Sequence, residues 1–307
     1  MSGKPRSRRR RGLRAEARLD LARGQDVPGD RPDLRKHVSC PDARETNRWF
    51  GNEVLRHLKA ASTALANAKS VYRNRRAWRN TMTEPLPSLA IVGGTGALGT
   101  GLAYRWARAG YSVAIGSRSR EKGAAAAAEL RTRLPDATVS GAGNRDVAGT
   151  AAIIILTVPY AHHRSTLEAI KAEVQGKIVV DTTVPLVPPK VARVQLSDDW
   201  PVAKSAQSLL GDDVRVVSAF HNVAAAHLQL DEGHDDGDVL VCGNDNGARQ
   251  VVIDLVAATG LRGWHAGTID NSVVSEALTS VLIFINKKYK IDGAGLRITG
   301  ARRGEAA

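Results

Sequence analysis

Residues 92–101 read VGGTGALGTG, and the interpretation of the whole chain starts from this glycine-rich stretch. It contains the pattern Gly-x-Gly-x-x-Gly at Gly94, Gly96 and Gly99, between an apolar run that predicts a strand and a segment that predicts a helix. We expect Gly94 to permit a tight turn, Gly96 to let the backbone approach a pyrophosphate, and Gly99 to bring helix and strand together. The stretch therefore predicts a dinucleotide site at a helix N-terminus, with a purely structural turn as the alternative.

Strand and helix signals alternate from residue 88 onward. After the first strand and helix (88–94 and 97–110), strands are predicted at 111–117, 137–143, 151–159, 176–183, 214–220 and 238–243, and helices at 120–134, 144–151, 161–174, 247–260 and 271–290. Such alternation requires crossover connections and predicts an α/β fold, a Rossmann-type doubly wound and mostly parallel sheet. We place the dinucleotide-binding domain at 82–230 and a smaller helical and extended C-terminal part at 231–307.

The net charge of +13 is concentrated at one end of the chain. Residues 1–81 contain 21 Lys and Arg against 8 Asp and Glu, whereas the remaining residues carry 23 of each. This basic extension has three interpretations. It is a disordered tail, with or without contact to nucleic acid, a helical appendage built on 45–79, or a segment outside the natural protein, because Met82 stands just before the first strand. We favour a disordered or non-native extension and regard nucleic-acid binding as unlikely.

The end of the second predicted strand indicates which dinucleotide is bound. An NAD site usually has an Asp or Glu there for the ribose hydroxyls. This chain has Ser117 and Arg118 instead, and Lys122 follows within one helical turn. A hydroxyl, a guanidinium and an ammonium group can together bind a 2′-phosphate. The pattern favours NADP over NAD, with solvated charges at a helix start as the alternative.

The segments that follow the other strands contain few acid–base groups. They include Thr157–Tyr160, Thr183–Val187 and Ala219–Ala224, with no evident catalytic triad, carboxylate pair or metal cluster. This composition is consistent with direct hydride transfer, in which the protein mainly aligns two rings. His162 or His163 could line a nicotinamide pocket or have no role. His221 is favoured as a ligand contact, and we interpret the acidic run at 231–238 as a solvated loop rather than a metal site.

Seven separated motifs, in order, resemble the NADPH-dependent coenzyme F-420 reductases (F-420H2:NADP oxidoreductases). They are GGTGALGTGLA, GSR-x-x-EK, LTVP, VPLVPP, VSAFHNV-x-A, VCGNDN and the terminal E-x-LTSVLI with GAGLRITG, within about 88–300. The resemblance implies hydride transfer between NADP and an 8-hydroxy-5-deazaflavin, with residues 231–307 completing the deazaflavin site. It assigns NADP contacts to Thr95, Gly96, Ala97, Leu98, Ser117, Arg118, Lys122, Val158, His162, Val187 and Ala225, and deazaflavin contacts to His221, Val223 and Leu296. Two extra residues before Pro185, relative to some members, make this chain differ near Val187.

Other features of the chain bear on its location and partners. Cys40 and Cys242 form no metal or disulfide pattern, and no apolar run reaches the length of a membrane helix, so a cytoplasmic protein is expected. The apolar helix at 271–286 could bury against a second copy in a homodimer. Two other functions stay open, namely another NADP-dependent reductase acting on an imine or keto substrate, and an NADP-sensing protein without enzymatic activity.

Overall fold

The computed structural model describes residues 85–195, 200–230 and 237–300. The predictions made for the extension 1–81, and for most of the acidic run at 231–238, lie outside these residues. Among the described helices, none is long and apolar enough to cross a membrane.

Eight strands form one sheet in the order β3-β2-β1-β4-β5-β6-β7-β8. The strands are β1 (Leu89–Val92), β2 (Val113–Ser117), β3 (Val139–Gly143), β4 (Ile153–Leu156), β5 (Ile178–Asp181), β6 (Arg215–Ser218), β7 (Asp238–Gly243) and β8 (Arg262–His265). The α-helices are α1 (Ala97–Arg108), α2 (Arg120–Arg133), α3 (Asn144–Thr150), α4 (His163–Ile170), α5 (Val202–Leu210), α6 (Asn246–Ala258) and α7 (Ser272–Tyr289). The predicted α/β, Rossmann-type and mostly parallel architecture is confirmed.

The direction of β7 determines which chain segments meet at the site. Strands β1 to β6 run parallel to one another, so their carboxyl ends lie along one edge of the sheet. β7 is antiparallel to β6 and pairs in parallel with β8. The amino ends of β7 and β8 therefore come to the same edge as the carboxyl ends of the other six strands.

Two apolar layers cover the faces of the sheet. One packs α1, α2 and α6 against it and includes Trp106, whose ring meets Phe220 edge-on at a centroid distance of 5.7 Å. The other packs α3, α4 and α5 against the opposite face, with Leu156 and Leu167 fully buried. The central strands are apolar on both sides because both faces are covered, as expected for a parallel sheet.

Two elements were not predicted from the sequence. Helix α5 carries an apolar face that includes Val202, Ala206 and Leu210, so its periodicity was available in the sequence. Strand β8 reads RGWH and has exposed residues at both ends, which gives no alternating or continuous apolar signal. It forms because β7 provides a partner for pairing, which is a long-range effect.

Candidate functional site

The glycine turn after β1 leaves an open surface in front of helix α1. A Cβ on Gly96 would meet nothing within 4 Å, whereas a Cβ on Gly99 would lie 2.6 Å from the Gly94 Cα. Gly96 precedes the first residue of α1, and no side chain caps the helix there. Gly96 therefore leaves room for a ligand at the helix N-terminus, and Gly99 permits close packing, as expected from the sequence.

The left-handed residue of the turn is Gly93, with φ of +74°, and not Gly94. Gly94 lacks a side chain for a different reason, because its Cβ would lie 2.7 Å from the Ile91 carbonyl oxygen. The Gly94 N–H donates to the Gly116 carbonyl at 2.9 Å. The role that the sequence suggested for Gly94 thus belongs to its neighbour, and Gly94 provides close backbone packing between β1 and β2.

Asn144, which the sequence analysis did not single out, holds this turn in place. Its Oδ1 accepts a hydrogen bond from the Gly93 N–H at 3.0 Å. A Cβ on Gly116 would lie 2.9 Å from the same oxygen, so the glycine leaves room for the amide. Asn144 begins α3 immediately after Gly143, the register partner of Ser117. It therefore lies between the glycine turn and the residues expected to bind a 2′-phosphate.

The three side chains expected to bind a 2′-phosphate lie at the carboxyl end of β2. Ser117 is buried at the strand end, while Arg118 and Lys122 are exposed. Neither of these two cations has a side-chain hydrogen bond or ion pair within 85–195, 200–230 and 237–300. Arg120, by contrast, pairs with Asp146 at 2.7 Å. An anion at this point would thus meet two cationic groups that have no anionic partner of their own.

The residues expected beside a nicotinamide come from three segments after β4, β5 and β6. Val158 lies against the glycine turn, since a Cβ on Gly93 would come 2.5 Å from its Cγ1. His162 is exposed at the end of a short 3-10 turn, and Val187 is exposed in the loop after β5. Ala225 packs against α1, where its carbonyl oxygen lies 3.2 Å from a Cβ built on Gly101. The fold thus places all four at the carboxyl edge of the sheet.

A buried ion pair lies beneath these segments. His163 Nε2 is 2.7 Å from Asp181 Oδ2, and both side chains are almost completely buried. The other oxygen of Asp181 accepts from the Thr183 N–H at 2.9 Å. Burial alone would raise the pKa of Asp181, but the charge of His163 and the bonds from His163 and Thr183 lower it overall. Of the two adjacent histidines, His163 is therefore buried against Asp181, and His162 is the one left at the surface.

His221 lies inside the protein rather than on an open surface. It is 4% exposed, and its Nδ1 is 3.4 Å from the Ser275 hydroxyl of α7. Burial lowers the pKa of His221 to about 4, against the opposing influence of Asp181 and the Thr183 carbonyl. The ring is therefore neutral at physiological pH. The preceding residue, Phe220, has φ of +65°, an uncommon conformation for a side chain of this size.

Val223 and Leu296, both expected to contact a deazaflavin, line one cavity of about 350 Å³. Its wall also includes Arg105, Asn222, His227 and Asp238. The guanidinium of Arg105 donates to the carbonyl oxygens of His227 and Leu228, at 3.1 and 2.8 Å. The loop after β6 is thus tied to α1, and residues that are 73 positions apart in sequence are brought to the same cavity.

Asp238 corrects the interpretation of the acidic run at 231–238 as a solvated loop. This last residue of the run is 1% exposed and forms a two-pronged ion pair with Arg262, at 2.6 and 2.8 Å. This could not be predicted from the sequence, because Asp238 and Arg262 meet only when β7 and β8 pair. Within the described part of the chain, no group of three or more His, Cys, Asp or Glu side chains is arranged to hold a metal ion.

Comparisons with known proteins match the region that carries this site. A family described as NADP oxidoreductase, coenzyme F-420-dependent, matches residues 88–185. The chain is 42% identical over 219 residues to the F-420-dependent NADP reductase of Methanocaldococcus jannaschii, which covers 69% of this chain and 97% of that protein. Identity to the F-420-dependent NADP reductase of Methanothermobacter marburgensis is 36% over 218 residues, with the same coverage.

A solved structure gives the same picture. A candidate F-420-dependent NADP reductase from Arthrobacter sp. FB24 superposes with a TM-score of 0.57 at 25% identity. The alignment covers 70% of this chain and 100% of that one. These relatives are therefore matched over nearly their full length.

Proposed function

The chain belongs to the family of coenzyme F-420-dependent NADP oxidoreductases, and from this premise we propose that it transfers a hydride between NADP(H) and the deazaflavin coenzyme F-420. The match to the archaeal F-420-dependent NADP reductases, over 97% of their length, carries the proposal. The geometry supports it, because the open space before α1, the exposed cations Arg118 and Lys122, and the cavity lined by Val223 and Leu296 come from segments at the same edge of the sheet.

The NADP half of the site runs from the glycine turn to the loop after β6. The turn residues Thr95 and Gly96 and the first residues of α1, Ala97 and Leu98, bind the pyrophosphate with their free N–H groups. The 2′-phosphate lies among Ser117, Arg118 and Lys122, which gives preference for NADP over NAD. The nicotinamide lies among Val158, His162, Val187 and Ala225.

The second half of the site holds the deazaflavin. Val223 and Leu296 contact the ring, and residues 231–307 complete this side of the site. His221, which is buried and neutral, supports the loop that carries Val223 and presents no charge to the ring. Its proposed contact with the deazaflavin is therefore made by an uncharged ring.

The chain contributes alignment to the reaction. When both substrates are bound, the nicotinamide and deazaflavin rings carry the hydride chemistry, which needs their reacting carbons at roughly 3–3.5 Å. The apolar side chains Val158 and Val223 exclude water from the space between the rings.

The test of the function is a substrate comparison. Purified protein with NADPH should lose the absorbance of the reduced nicotinamide when oxidised F-420 is added, and not when cyclic imines or 2-keto acids are added. Turnover of an imine or keto acid without F-420 turnover would establish the other NADP-dependent reductase instead. Binding of NADP without turnover of any of these substrates would favour an NADP-sensing protein.

We also infer that two copies associate through α7. Its exposed apolar side chains, Val274, Val281 and Phe284, recur at helical spacing on a described surface that no other element covers. Sedimentation velocity should give a dimer, and Phe284→Asp should give a monomer. A wild-type monomer at micromolar concentration would contradict this. The cytoplasmic location stays a prediction from the sequence.

A further inference from the structure

Asp238 connects three segments that are distant in the sequence. It is the first residue of β7, and its carboxylate forms the ion pair with Arg262 of β8. Its Oδ2 also accepts from the Ile298 N–H, and its own N–H donates to the Leu296 carbonyl at 2.9 Å. Its carbonyl oxygen accepts from Asn222 Nδ2 at 2.7 Å. The residue therefore holds the loop after β6 and the C-terminal tail at once.

Because the Asp238 carboxylate is buried, its bonding partners must stay in fixed positions. A buried ion is costly unless it is paired and fully hydrogen-bonded, and here Arg262 and Ile298 satisfy both oxygens. The hydrogen bonds from Arg262 and Ile298 lower the pKa of Asp238, although burial opposes them. Arg262 is in turn placed by Trp264, whose ring centroid lies 4.9 Å from the guanidinium carbon. The tail therefore has one well-defined position relative to β7.

The two segments that Asp238 holds are the ones that carry the expected deazaflavin contacts. Asn222 is followed by Val223, and Leu296 itself makes one of the hydrogen bonds. Asp238 also lines the cavity that these residues share. We propose that Asp238, together with Arg262, is a positioning residue that sets the distance between Val223 and Leu296 and so shapes the deazaflavin site.

This inference rests on the proposed function, but it makes a separate prediction. A role confined to the stability of the β7–β8 pair would change the unfolding free energy and leave the binding of the deazaflavin unchanged. If Asp238 is a positioning residue, its loss weakens the binding of F-420 and does not change the binding of NADPH, because the phosphate loop and the 2′-phosphate residues make no contact with Asp238. The selectivity between the two substrates is therefore the measurement that matters.

The most specific variant removes one hydrogen bond from the tail. Ile298→Pro deletes the N–H that Asp238 accepts, at a position that is 39% exposed, so the core is not disturbed. Thr299→Pro is the matched control, because the Thr299 N–H has no hydrogen-bond partner among the described residues. The dissociation constant for F-420, measured by quenching of its fluorescence without NADPH, should rise about tenfold in Ile298→Pro and less than about twofold in Thr299→Pro.

A second pair of variants tests the carboxylate itself. Asp238→Asn keeps the size of the side chain and removes the charge that Arg262 needs. It should raise both the dissociation constant and the KM for F-420 by about tenfold or more, with the KM for NADPH within about twofold. Glu173→Gln is the control, since Glu173 is also a largely buried carboxylate paired with an exposed arginine, Arg145, away from the cavity. It should leave both KM values unchanged.

The double variant and the wild-type protein show whether the positioning role or the proposed function itself is wrong. Asp238→Asn combined with Ile298→Pro should bind F-420 no more weakly than Asp238→Asn alone, because both changes break the same link. Unchanged F-420 binding in both single variants, or equal losses for F-420 and NADPH, would overturn the positioning role. If the wild-type protein itself neither binds nor reduces F-420, the proposed function fails, and not this inference alone.

Discussion

The NADP half and the deazaflavin half of the site are built in different ways. The residues that we propose to bind the phosphates of NADP come from β1 to α3, within about 50 consecutive residues from Val92 to Asn144. The deazaflavin half joins the loop after β6, the start of β7 and the tail around Leu296, which meet only in the folded chain. Local sequence therefore specifies the phosphate side of the first half, and the second half depends on the antiparallel direction of β7.

The His163–Asp181 ion pair lies beneath both halves, and breaking it should have the largest effect. Asp181→Asn removes the buried carboxylate that contacts both His163 and the Thr183 N–H, and should lower the unfolding free energy by about 3 kcal/mol at pH 7, measured by urea denaturation. The exposed pair Lys204–Asp270 is the control, where Asp270→Asn should cost less than about 0.5 kcal/mol. KM values for the two substrates should change in equal proportion. A change in the KM for only one substrate would show that the His163–Asp181 pair supports the half of the site that binds that substrate.

The same variant has a pH signature. Because the pKa of Asp181 is lowered in the folded protein, the stability it adds is present above the unfolded value of about 3.9 and is lost as the pH falls through the lower, folded value. The difference in unfolding free energy between wild type and Asp181→Asn should be full at pH 7 and shrink below about pH 4. A difference that stays constant down to pH 3 would mean that the carboxylate is not ionised in the native state.

Replacement of Arg118 tests whether this side chain binds the 2′-phosphate of NADP. Arg118→Ala removes charge-assisted hydrogen bonds worth about 1.5–3 kcal/mol, so kcat/KM for NADPH should fall by about 10- to 150-fold. The value for NADH, which lacks the phosphate, should change less than about threefold. Arg120→Ala is the control, because Arg120 is already paired with Asp146. Equal losses for the two nucleotides would show that Arg118 does not bind the 2′-phosphate.

Gly96 and Gly99 separate ligand binding from folding within the same turn. Alanine at Gly96 meets no protein atom, so Gly96→Ala should leave the melting temperature within about 1 °C while raising the KM for NADPH about tenfold, because the methyl group occupies space in front of the helix. Gly99→Ala forces its Cβ against the Gly94 backbone and should lower the melting temperature by several degrees. Normal NADPH affinity in Gly96→Ala would place the pyrophosphate elsewhere.

Asn144 should give the smallest effect. Asn144→Ala removes one hydrogen bond from the Gly93 N–H, worth about 1 kcal/mol, and should raise the KM for both NADPH and NADH about fivefold. Asn144→Asp keeps the acceptor oxygen and should keep the turn, so a loss that appears only with aspartate would indicate repulsion of the phosphates. A change in the NADPH to NADH ratio would instead place Asn144 at the 2′-phosphate.

These contrasts also explain which features could be predicted from the sequence. The glycines, charged residues and apolar runs from Gly94 to Lys122 predicted the fold and the nucleotide because each of these signals is local in the sequence. Asn144, Asp238 and the burial of His163 were missed because each depends on a partner between about 18 and 60 residues away. The left-handed position fell on Gly93 rather than Gly94 because neighbouring glycines cannot be distinguished without the backbone path.

The reversed direction of β7 has a consequence for how this enzyme can change. It lets the C-terminal tail, which forms no helix or strand at Asp292, Gly293, Gly295, Leu296 and Arg297, line the cavity that we propose for the deazaflavin. Substitutions there need not disturb the sheet or the nucleotide loop. Under the proposed function, the binding of the second substrate can therefore change in this short segment while the glycine turn and the expected 2′-phosphate residues stay the same, and exchanging the segment between relatives tests this.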